Sequence, residues 1–446
     1  MGEVNDESVQ VPSATRSSRL PGFHQRSMEE RWRELALRGD LTPEELRVLC
    51  AMDAPHLDVV NQMIENAVGV FALPLGLGLN LTVNGRDHLV PMVVEEPSVI
   101  AAVSLASKLV REAGGFLAEA GTSMMIGQVQ LTGYGDPELA RARLLSGREQ
   151  LLALANSFHP SLEKRGGGAC DLQVRILPAP EGPHAEPLLI VHLLVDTQEA
   201  MGANLINTMA EGIAPLVEQL TGGRVYLRIL SNLADQRLAR ASCRIPVTSL
   251  AGLGMSGEDI AEGILQAGRF ARADPYRAAT HNKGVMNGID AVAIATGQDW
   301  RAIEAGAHAY ACRDGRYGPL TTWTREDGHL LGRIELPLAL GMVGGPIKVH
   351  PGAQLGLKLL GVNTVRELAM VFAAVGLAQN LAAVRALGSV GIQKGHMAMH
   401  ARCVAVTAGA RGADVEKVVR LLMERGNIKV EAAREILASL QALSPP

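Results

Sequence analysis

Four short segments of this 446-residue chain gather side chains able to move protons or hold anions. The first, Val93-Val-Glu-Glu-Pro-Ser98, sets Glu95 and Glu96 at the entrance of a helix expected to begin near Pro97. Acids are stabilised there by the helix dipole, which also holds a carboxyl pKa down. A proton donor at Glu96 therefore requires burial or another carboxylate to raise its pKa. The second segment, Asp274 to Asp290, packs Arg277, His281, Asn282, Lys283 and Asn287 among residues too small or polar for a core. Its composition suits a surface loop, but Gly284 and Gly288 beside Lys283 suggest backbone brought close to a ligand. Arg277 suits a bidentate grip on a carboxylate, and Lys283 a point charge beside a developing oxyanion. Asp299, in Thr296-Gly-Gln-Asp-Trp300, follows sixteen residues after Lys283. One straight helix would separate the two by about 24 Å, so a Lys283–Asp299 pair needs the chain to break and return at Gly288 or Gly297.

The third segment, Lys394-Gly-His-Met-Ala-Met-His400, spaces His396 and His400 four residues apart. That spacing can hold a metal on one helical face, but no third ligand lies nearby. We expect no metal, and read one histidine as an acid working near neutral pH. The fourth, Asp196 to Asn204, joins a strand to a helix through small residues, as a phosphate-binding helix start does; a plain tight turn has the same composition. Gly252-Leu-Gly-Met-Ser-Gly257 matches G-x-G-x-x-G, yet Thr248–Gly252 spaces it poorly from the preceding strand, and Ser256 with Asp259 explains the helix start as a cap. A dinucleotide site is expected elsewhere.

The elements that must position these groups can be read from periodicity. Residues 1–17 read as a disordered tail. Helices are expected at Met28–Arg38, Thr42–Met52 and Asp58–Val68, strands at Asn80–Val83 and Leu89–Val94 around an Asn84-Gly85 turn, and a helix from Ser98 to Ala113. Residues 128–230 give a strand (Gln128–Leu131), one helix (Pro137–Asn156), strands Leu172–Leu177 and Leu188–Val195, a helix (Gln198–Leu220) and a strand (Val225–Leu230). This is the β-α-β-β-α-β order of a split, ferredoxin-like unit. Beyond it come a strand (Ala241–Val247), a helix (Gly257–Phe270), the Gly/Asn-rich segment 280–288, strands Pro319–Thr324 and His329–Glu335, helices Asn363–Leu377 and Asn380–Ala386, and a small helical unit with helices at Ala413–Glu424 and Val430–Leu440.

Composition narrows the function. There are 48 glycines, but only six Phe, three Trp and five Tyr. That argues against stacking on single-stranded nucleic acid, and a net charge of −4 with no basic tail argues against nucleic acid generally. Five scattered cysteines fit a reducing cytosol better than a disulfide frame. The longest apolar run, Ala369–Ala378, is too short to span a bilayer, so a soluble, cytoplasmic protein with no membrane partner is expected.

Taken in order, Ser18-Arg-Leu-Pro-Gly-Phe23, Met63-Ile-Glu-Asn66, Asn84-Gly-Arg-Asp87, Glu95-Glu-Pro-Ser98, Ala200-Met-Gly-Ala-Asn204, Arg277-Ala-Ala-Thr-His-Asn-Lys-Gly284 and the Gly395-His-Met segment resemble a class II 3-hydroxy-3-methylglutaryl-CoA (HMG-CoA) reductase over nearly the whole chain. The resemblance implies reduction of HMG-CoA to mevalonate and free CoA by two hydride transfers from NADPH or NADH, through a hemithioacetal and mevaldehyde. Glu96 matches the family's proton donor, Lys283 the oxyanion-stabilising lysine, Asp299 the aspartate that tunes them, and His396 the flap histidine that protonates the CoA thiolate. Ser98, Arg277 and Asn287, with Gln379 and Asn380, would hold the HMG group.

Met201, Gly202, Ala203 and Asn204 match dinucleotide contacts, and Asn232 adds another. Glu199 departs from a known Asp-Ala-Met-Gly pattern. His159 stands where NADH-preferring members can carry an Asp for the ribose 2′-hydroxyl, and Lys164 and Arg165 follow it, which leans toward NADPH. The implied α+β architecture has a large, mostly helical HMG-CoA-binding domain (18–125 and 231–389), an inserted NAD(P)-binding domain (126–230) and a C-terminal flap (390–446) hinged near Leu387–Val390. Family members form homodimers, often built into hexamers, whose sites draw on both copies. A catalytically silent nucleotide-binding or scaffold protein on the same fold is the alternative, against which the intact set Glu96, Lys283, Asp299 and His396 speaks.

Overall fold

The computed structural model describes residues 17–50, 57–179, 186–252, 254–389 and 391–442, without the side chains of 57–58, 346, 392–399 and 442. The expected tail lies outside these residues except for Ser17, whose hydroxyl donates to Asp87. The described strands are β1 (Leu75–Val83), β2 (Arg86–Val93), β3 (Leu117–Ala120), β4 (Met124–Thr132), β5 (Gly168–Leu177), β6 (Leu188–Asp196), β7 (Arg224–Ser231), β8 (Leu238–Pro246), β9 (Thr321–Glu326) and β10 (His329–Pro337). They form an antiparallel β1-β2 hairpin and two four-stranded sheets, ordered β3-β8-β10-β9 and β5-β6-β4-β7. With the many helices around them this is an α+β fold.

The β5-β6-β4-β7 sheet is antiparallel throughout, with its first and third strands central, the order a ferredoxin-like split unit requires. Its core of Val129, Leu144, Leu151, Leu193, Ile206 and Met209 is separate from the others. The single helix expected over Pro137–Asn156 is two, Pro137–Ser146 and Arg148–Ser157. They meet at Gly147, where a Cβ would lie 2.6 Å from Leu220 Cδ1 on the crossing helix Ala203–Thr221.

A larger core surrounds the helix Val365–Leu387. Sequence reading divides this stretch near Ala378, because Gln379 and Asn380 interrupt the apolar run. The helix instead continues through both, which are 5% and 1% exposed. At 23 residues it is long and apolar enough to cross a membrane by length and composition. Here it packs against β3, β8, β10 and the helices Val99–Glu112, Gly257–Ala273 and Pro275–Ala295. A third small core (Val404, Val418, Leu422, Ala433, Ile436) joins the helices Ile392–Thr407, Ala413–Arg425 and Val430–Ala442.

The largest departure from expectation is Pro275–Ala295, which is one unbroken helix of 21 residues rather than a loop. Asp274 caps it, accepting from the backbone N–H groups of Tyr276 and Arg277, and Pro275 occupies the first turn. Gly288 does not break it. A Cβ there would lie 3.0 Å from Gln379 Cβ and 3.1 Å from Val375 Cγ1, so this glycine lets two core helices approach. Gly76, against Ile100, and Gly78, against Val90, Met92 and Val103, likewise allow close packing. Strand β3, not foreseen, adds an edge to the second sheet through its pairing with β8.

Candidate active site

Two elements distant in sequence bring the first pair of predicted residues together. Glu96 lies between β2 and the helix Val99–Glu112, and Lys283 on the third turn of the Pro275–Ala295 helix. Lys283 Nζ donates to Glu96 Oε2 at 2.9 Å across 187 residues of sequence. Both side chains are open to solvent, 60% and 41% exposed. Asn287, one turn beyond Lys283, lies on the same helical face.

Several polar groups nearby lack partners among the described residues. Ser98 holds the N-cap of its helix at φ 77, a left-handed conformation, and its hydroxyl is buried without a hydrogen bond. Gln379 Oε1, packed beside Gly288, is also buried and unpaired. Arg277 is half-buried with no carboxylate beside it, and burial holds its pKa below the ordinary guanidinium value. Its position six residues before Lys283 turns it about 120° round the helix from the lysine. The region therefore offers a cation, a hydroxyl and an amide oxygen that an anionic, hydroxyl-bearing ligand could satisfy.

Three predicted residues are engaged differently. Asp299 caps the helix Trp300–Tyr310, accepting from Ala302 N at 3.0 Å. The turn back comes at Gly297 (φ 67), after the Lys283 helix has ended. Asp299 thus lies beyond the far end of that helix, about 18 Å of helical rise from Lys283, and no hydrogen bond joins it to Lys283 or Glu96 among the described residues. Asn380 is a core residue: its Oδ1 accepts from Thr321 Oγ1 and Trp323 Nε1, both at 2.9 Å, and its amide lies 3.1 Å from His281 Nε2. Burial, aided by Arg277, lowers the His281 pKa to about 4, so this ring is neutral. Glu199 accepts from Val365 N at 2.7 Å and so caps the central helix. The helix Ile392–Thr407 carries His396, whose side chain lies outside the described residues.

In the unit built on the β5-β6-β4-β7 sheet, Gly202 (φ 101) precedes the 19-residue helix Ala203–Thr221, and a Cβ there would lie 2.4 Å from Thr197 Cγ2. At this helix start Met201 and Ala203 are half-buried and Asn204 is exposed. His159 begins the short helix Pro160–Glu163, its Nε2 buried and unpaired. Asn232 is exposed, with its carbonyl against Gly306. A residue that sequence reasoning missed is Arg237, which is 5% exposed and hydrogen-bonded to the carbonyls of Ala200 and Met201; only its position just before a strand marked it.

The Gly252–Gly257 motif is a tight turn, with Gly252 and Met255 exchanging backbone hydrogen bonds, followed by a helix that Ser256 caps. A cleft of about 470 Å³ opens on the outer face of the β3-β8-β10-β9 sheet among Arg240, Arg313, Arg333 and Glu335, and contains none of the predicted residues. Among the described residues, no group of three or more His, Cys, Asp or Glu is placed to hold a metal.

The molecule thus carries a Lys–Glu pair on its large helical core and a glycine-led helix start in the inserted split βαβ unit. The family model for hydroxymethylglutaryl-coenzyme A reductase matches residues 27–401. The 3-hydroxy-3-methylglutaryl-coenzyme A reductase of Archaeoglobus fulgidus is 49% identical over 427 residues, 96% of this chain and 95% of that one. The solved reductase of Streptococcus pneumoniae superposes with a TM-score of 0.80 at 45% identity, covering 94% of this chain and 99% of that one. A second structure, the class II S. pneumoniae enzyme bound to NADPH in open conformations, gives 0.79 at 47% identity over 83% of this chain and 99% of its own. The chain belongs to the hydroxymethylglutaryl-coenzyme A reductase family, in its class II branch, and is an oxidoreductase.

Proposed function

We propose that the chain reduces HMG-CoA to mevalonate and CoA on the Glu96–Lys283 pair, with reduced nicotinamide dinucleotide held at Met201–Asn204. The observation that carries this reading is the 2.9 Å Lys283–Glu96 contact among unpaired buried groups. When bound, the nicotinamide supplies hydride to the substrate's carbonyl carbon. The Lys283 ammonium then stabilises negative charge on the carbonyl oxygen, and Glu96, in its protonated form, gives that oxygen its proton. Arg277 takes the substrate carboxylate, while Ser98, Asn287 and Gln379 take its hydroxyl. Asn380 supports them from the core.

His396, on the helix that follows the Leu387–Val390 hinge, protonates the thiolate of departing CoA; a thiol pKa of about 8.5 makes an imidazolium an effective donor. Three of the four apolar cores among the described residues support the division into an HMG-CoA domain, 18–125 with 231–389, an inserted cofactor domain, 126–230, and a flap, 390–446.

The cradle fits a dinucleotide. Gly202 leaves room where a side chain would collide with Thr197, and the helix start points backbone N–H groups outward. His159, with its unpaired Nε2, and exposed Lys164 and Arg165 favour a 2′-phosphate, hence NADPH over NADH. Glu199 and Asn232 act through the loop backbone around that site.

A homodimer, further assembled as a hexamer, suits two observations. Val68, Val70 and Phe71 form an apolar run that is 103%, 53% and 90% exposed, and Asp299 caps the next helix with no hydrogen bond to Lys283 among the described residues, as fits a site to which a second copy contributes. Exposed free thiols at Cys170, Cys312 and Cys403 fit a reducing cytoplasm. The test follows nicotinamide absorbance and thiol release with HMG-CoA. Two NADPH oxidised per CoA, kcat/KM for NADPH above that for NADH, and loss of turnover in Glu96→Gln support the reading. Full turnover in Glu96→Gln, or no thiol release, overturns it.

A further inference from the structure

Arg237 occupies the turn before β8 and carries the most deeply buried guanidinium described above. Its Nη1 donates to Thr197 Oγ1 at 3.2 Å and to the carbonyls of Ala200 and Met201, both at 3.3 Å; its Nη2 donates to the Leu340 carbonyl at 2.5 Å. All four acceptors are neutral. Burial draws its pKa down to about 10, partly opposed by Asp196 and Glu199, and the group stays cationic at neutral pH. A buried cation held only by neutral acceptors has to earn its place by geometry, since an apolar replacement would avoid the desolvation.

That geometry joins three segments. Leu340 opens a strap running to Val343. Met342 N donates to the Glu199 carbonyl at 2.8 Å, and Ala200 and Val343 form an isolated parallel bridge. The strap's other side is held by Gln298: Gly341 N donates to Gln298 Oε1 at 2.8 Å, and Gln298 Nε2 donates back to the Gly341 carbonyl at 2.9 Å. Gln298 immediately precedes Asp299. Gly341 fits so closely that a Cβ would lie 2.8 Å from Met201 N. One strap is therefore bonded to the 197–201 loop on one side and to the turn bearing Asp299 on the other, and Arg237 bonds loop and strap together.

We propose that Arg237 is a positioning residue: it fixes the loop that precedes Gly202 against the Leu340–Val343 strap, and so sets the cofactor cradle in register with the turn that carries Asp299. This rests on the reading of Met201–Asn204 as the cofactor cradle. The guanidinium fork is what the arrangement uses. One nitrogen serves the loop and the other the strap, whereas an ammonium is a single point charge that cannot span both in the same plane.

Arg237→Lys and Gly341→Ala test this in the full-length enzyme, the second by pressing the strap off Met201 without touching the charge. Each should raise KM for NADPH by about tenfold or more while KM for HMG-CoA stays within about twofold, a split that general destabilisation does not produce. Thermal melts and calorimetric NADPH binding accompany the kinetics. Gly202→Val, which collides with Thr197, separates the two levels of the argument. If it leaves NADPH binding intact, the cradle has been misplaced and the reading beneath the proposal fails. If Gly202→Val abolishes binding while Arg237→Lys and Gly341→Ala keep wild-type KM for NADPH, or shift both KM values equally, the positioning role is wrong. Should Arg237→Lys not fold, Gly341→Ala and Thr197→Val decide by the same criterion.

Discussion

Around Lys283 the chain leaves polar groups unmatched: the Ser98 hydroxyl, Gln379 Oε1 and the Arg277 guanidinium have no partner among the described residues. Around Met201 the reverse holds. The carbonyls of Glu199, Ala200 and Met201 all accept hydrogen bonds, from Met342 N and from Arg237. An unmatched buried group costs stability until a ligand arrives, so the first region reads as the complement of a polar, anionic substrate. The second presents a rigid backbone whose free donors are those of a helix start. On the proposed function, side chains recognise the substrate and a held loop the cofactor.

The harshest way to break this contrast is Lys283→Ala. Removing one charge from a developing oxyanion should lower kcat by about 10²–10³-fold or more. An exposed side chain leaves stability within about 0.5 kcal/mol, so the melting curve should not move. Turnover near wild type would move the chemistry away from this helix. Arg277→Ala comes next. Loss of a charge-assisted contact of about 1.5–3 kcal/mol should raise KM for HMG-CoA roughly 10- to 100-fold and leave KM for NADPH alone, with Arg277→Lys recovering only part. Equal shifts in both constants would mean that the two regions are not separate recognition units.

How much of this was legible beforehand differs between the same two regions. The order β-α-β-β-α-β could be read because Gln128–Leu131 alternates and Leu188–Val195 is a short apolar run beyond a Pro/Gly loop, although the helix expected from Gln198 begins only at Ala203. The Lys283 helix could not be read from its composition, since His281, Asn282, Asn287 and Gly288 look like a loop. Two of them are core polar groups, with Asn282 donating to the Gly318 carbonyl at 2.9 Å, and Gly288 is a helix-packing contact. The local signal that marked the helix was Asp274-Pro275, an N-cap followed by proline. Asp299, Asn380 and Glu199 were recognisable as residue types, but sequence could not show that each is already spent on a cap or a core network. Arg237 was invisible because burial of a charge depends on four acceptors drawn from two distant segments.

Asp290 sharpens the contrast: it lies on the Lys283 helix with its Oδ1 buried and unpaired, and no ligand role is assigned to it. Burial pushes its pKa up to about 8, and the neighbouring Glu304 carboxyl adds to the effect. A folded pKa raised above the unfolded value of about 3.9 means the folded state binds the proton more tightly. The stability this contributes is fully present below pH 4 and is lost as pH rises through about 8. The wild-type melting temperature should therefore fall between pH 5 and about 8.5, and Asp290→Asn should flatten that slope and be the more stable protein at about pH 8. Both KM values should hold. A change in KM for HMG-CoA would place Asp290 among the substrate groups instead.

The smallest effect is the most diagnostic. Ser98 combines a strained backbone, φ 77, with an unpaired buried hydroxyl, and left-handed geometry costs an L-residue about 1–2 kcal/mol. Glycine relieves the strain but regains conformational freedom in the unfolded chain, so Ser98→Gly should stabilise the protein by only about 0.5–1 kcal/mol. If the hydroxyl is kept for substrate, the same change should raise KM for HMG-CoA several-fold, the trade of stability against function expected at a site shaped by its ligand. Ser98→Ala keeps the strain and removes the hydroxyl, so it should share the KM effect without the full stabilisation. Stabilisation with unaltered KM in both variants would show that this unmatched group belongs to the fold alone, and would leave Arg277 and Gln379 as the groups that distinguish the substrate side from the cofactor side.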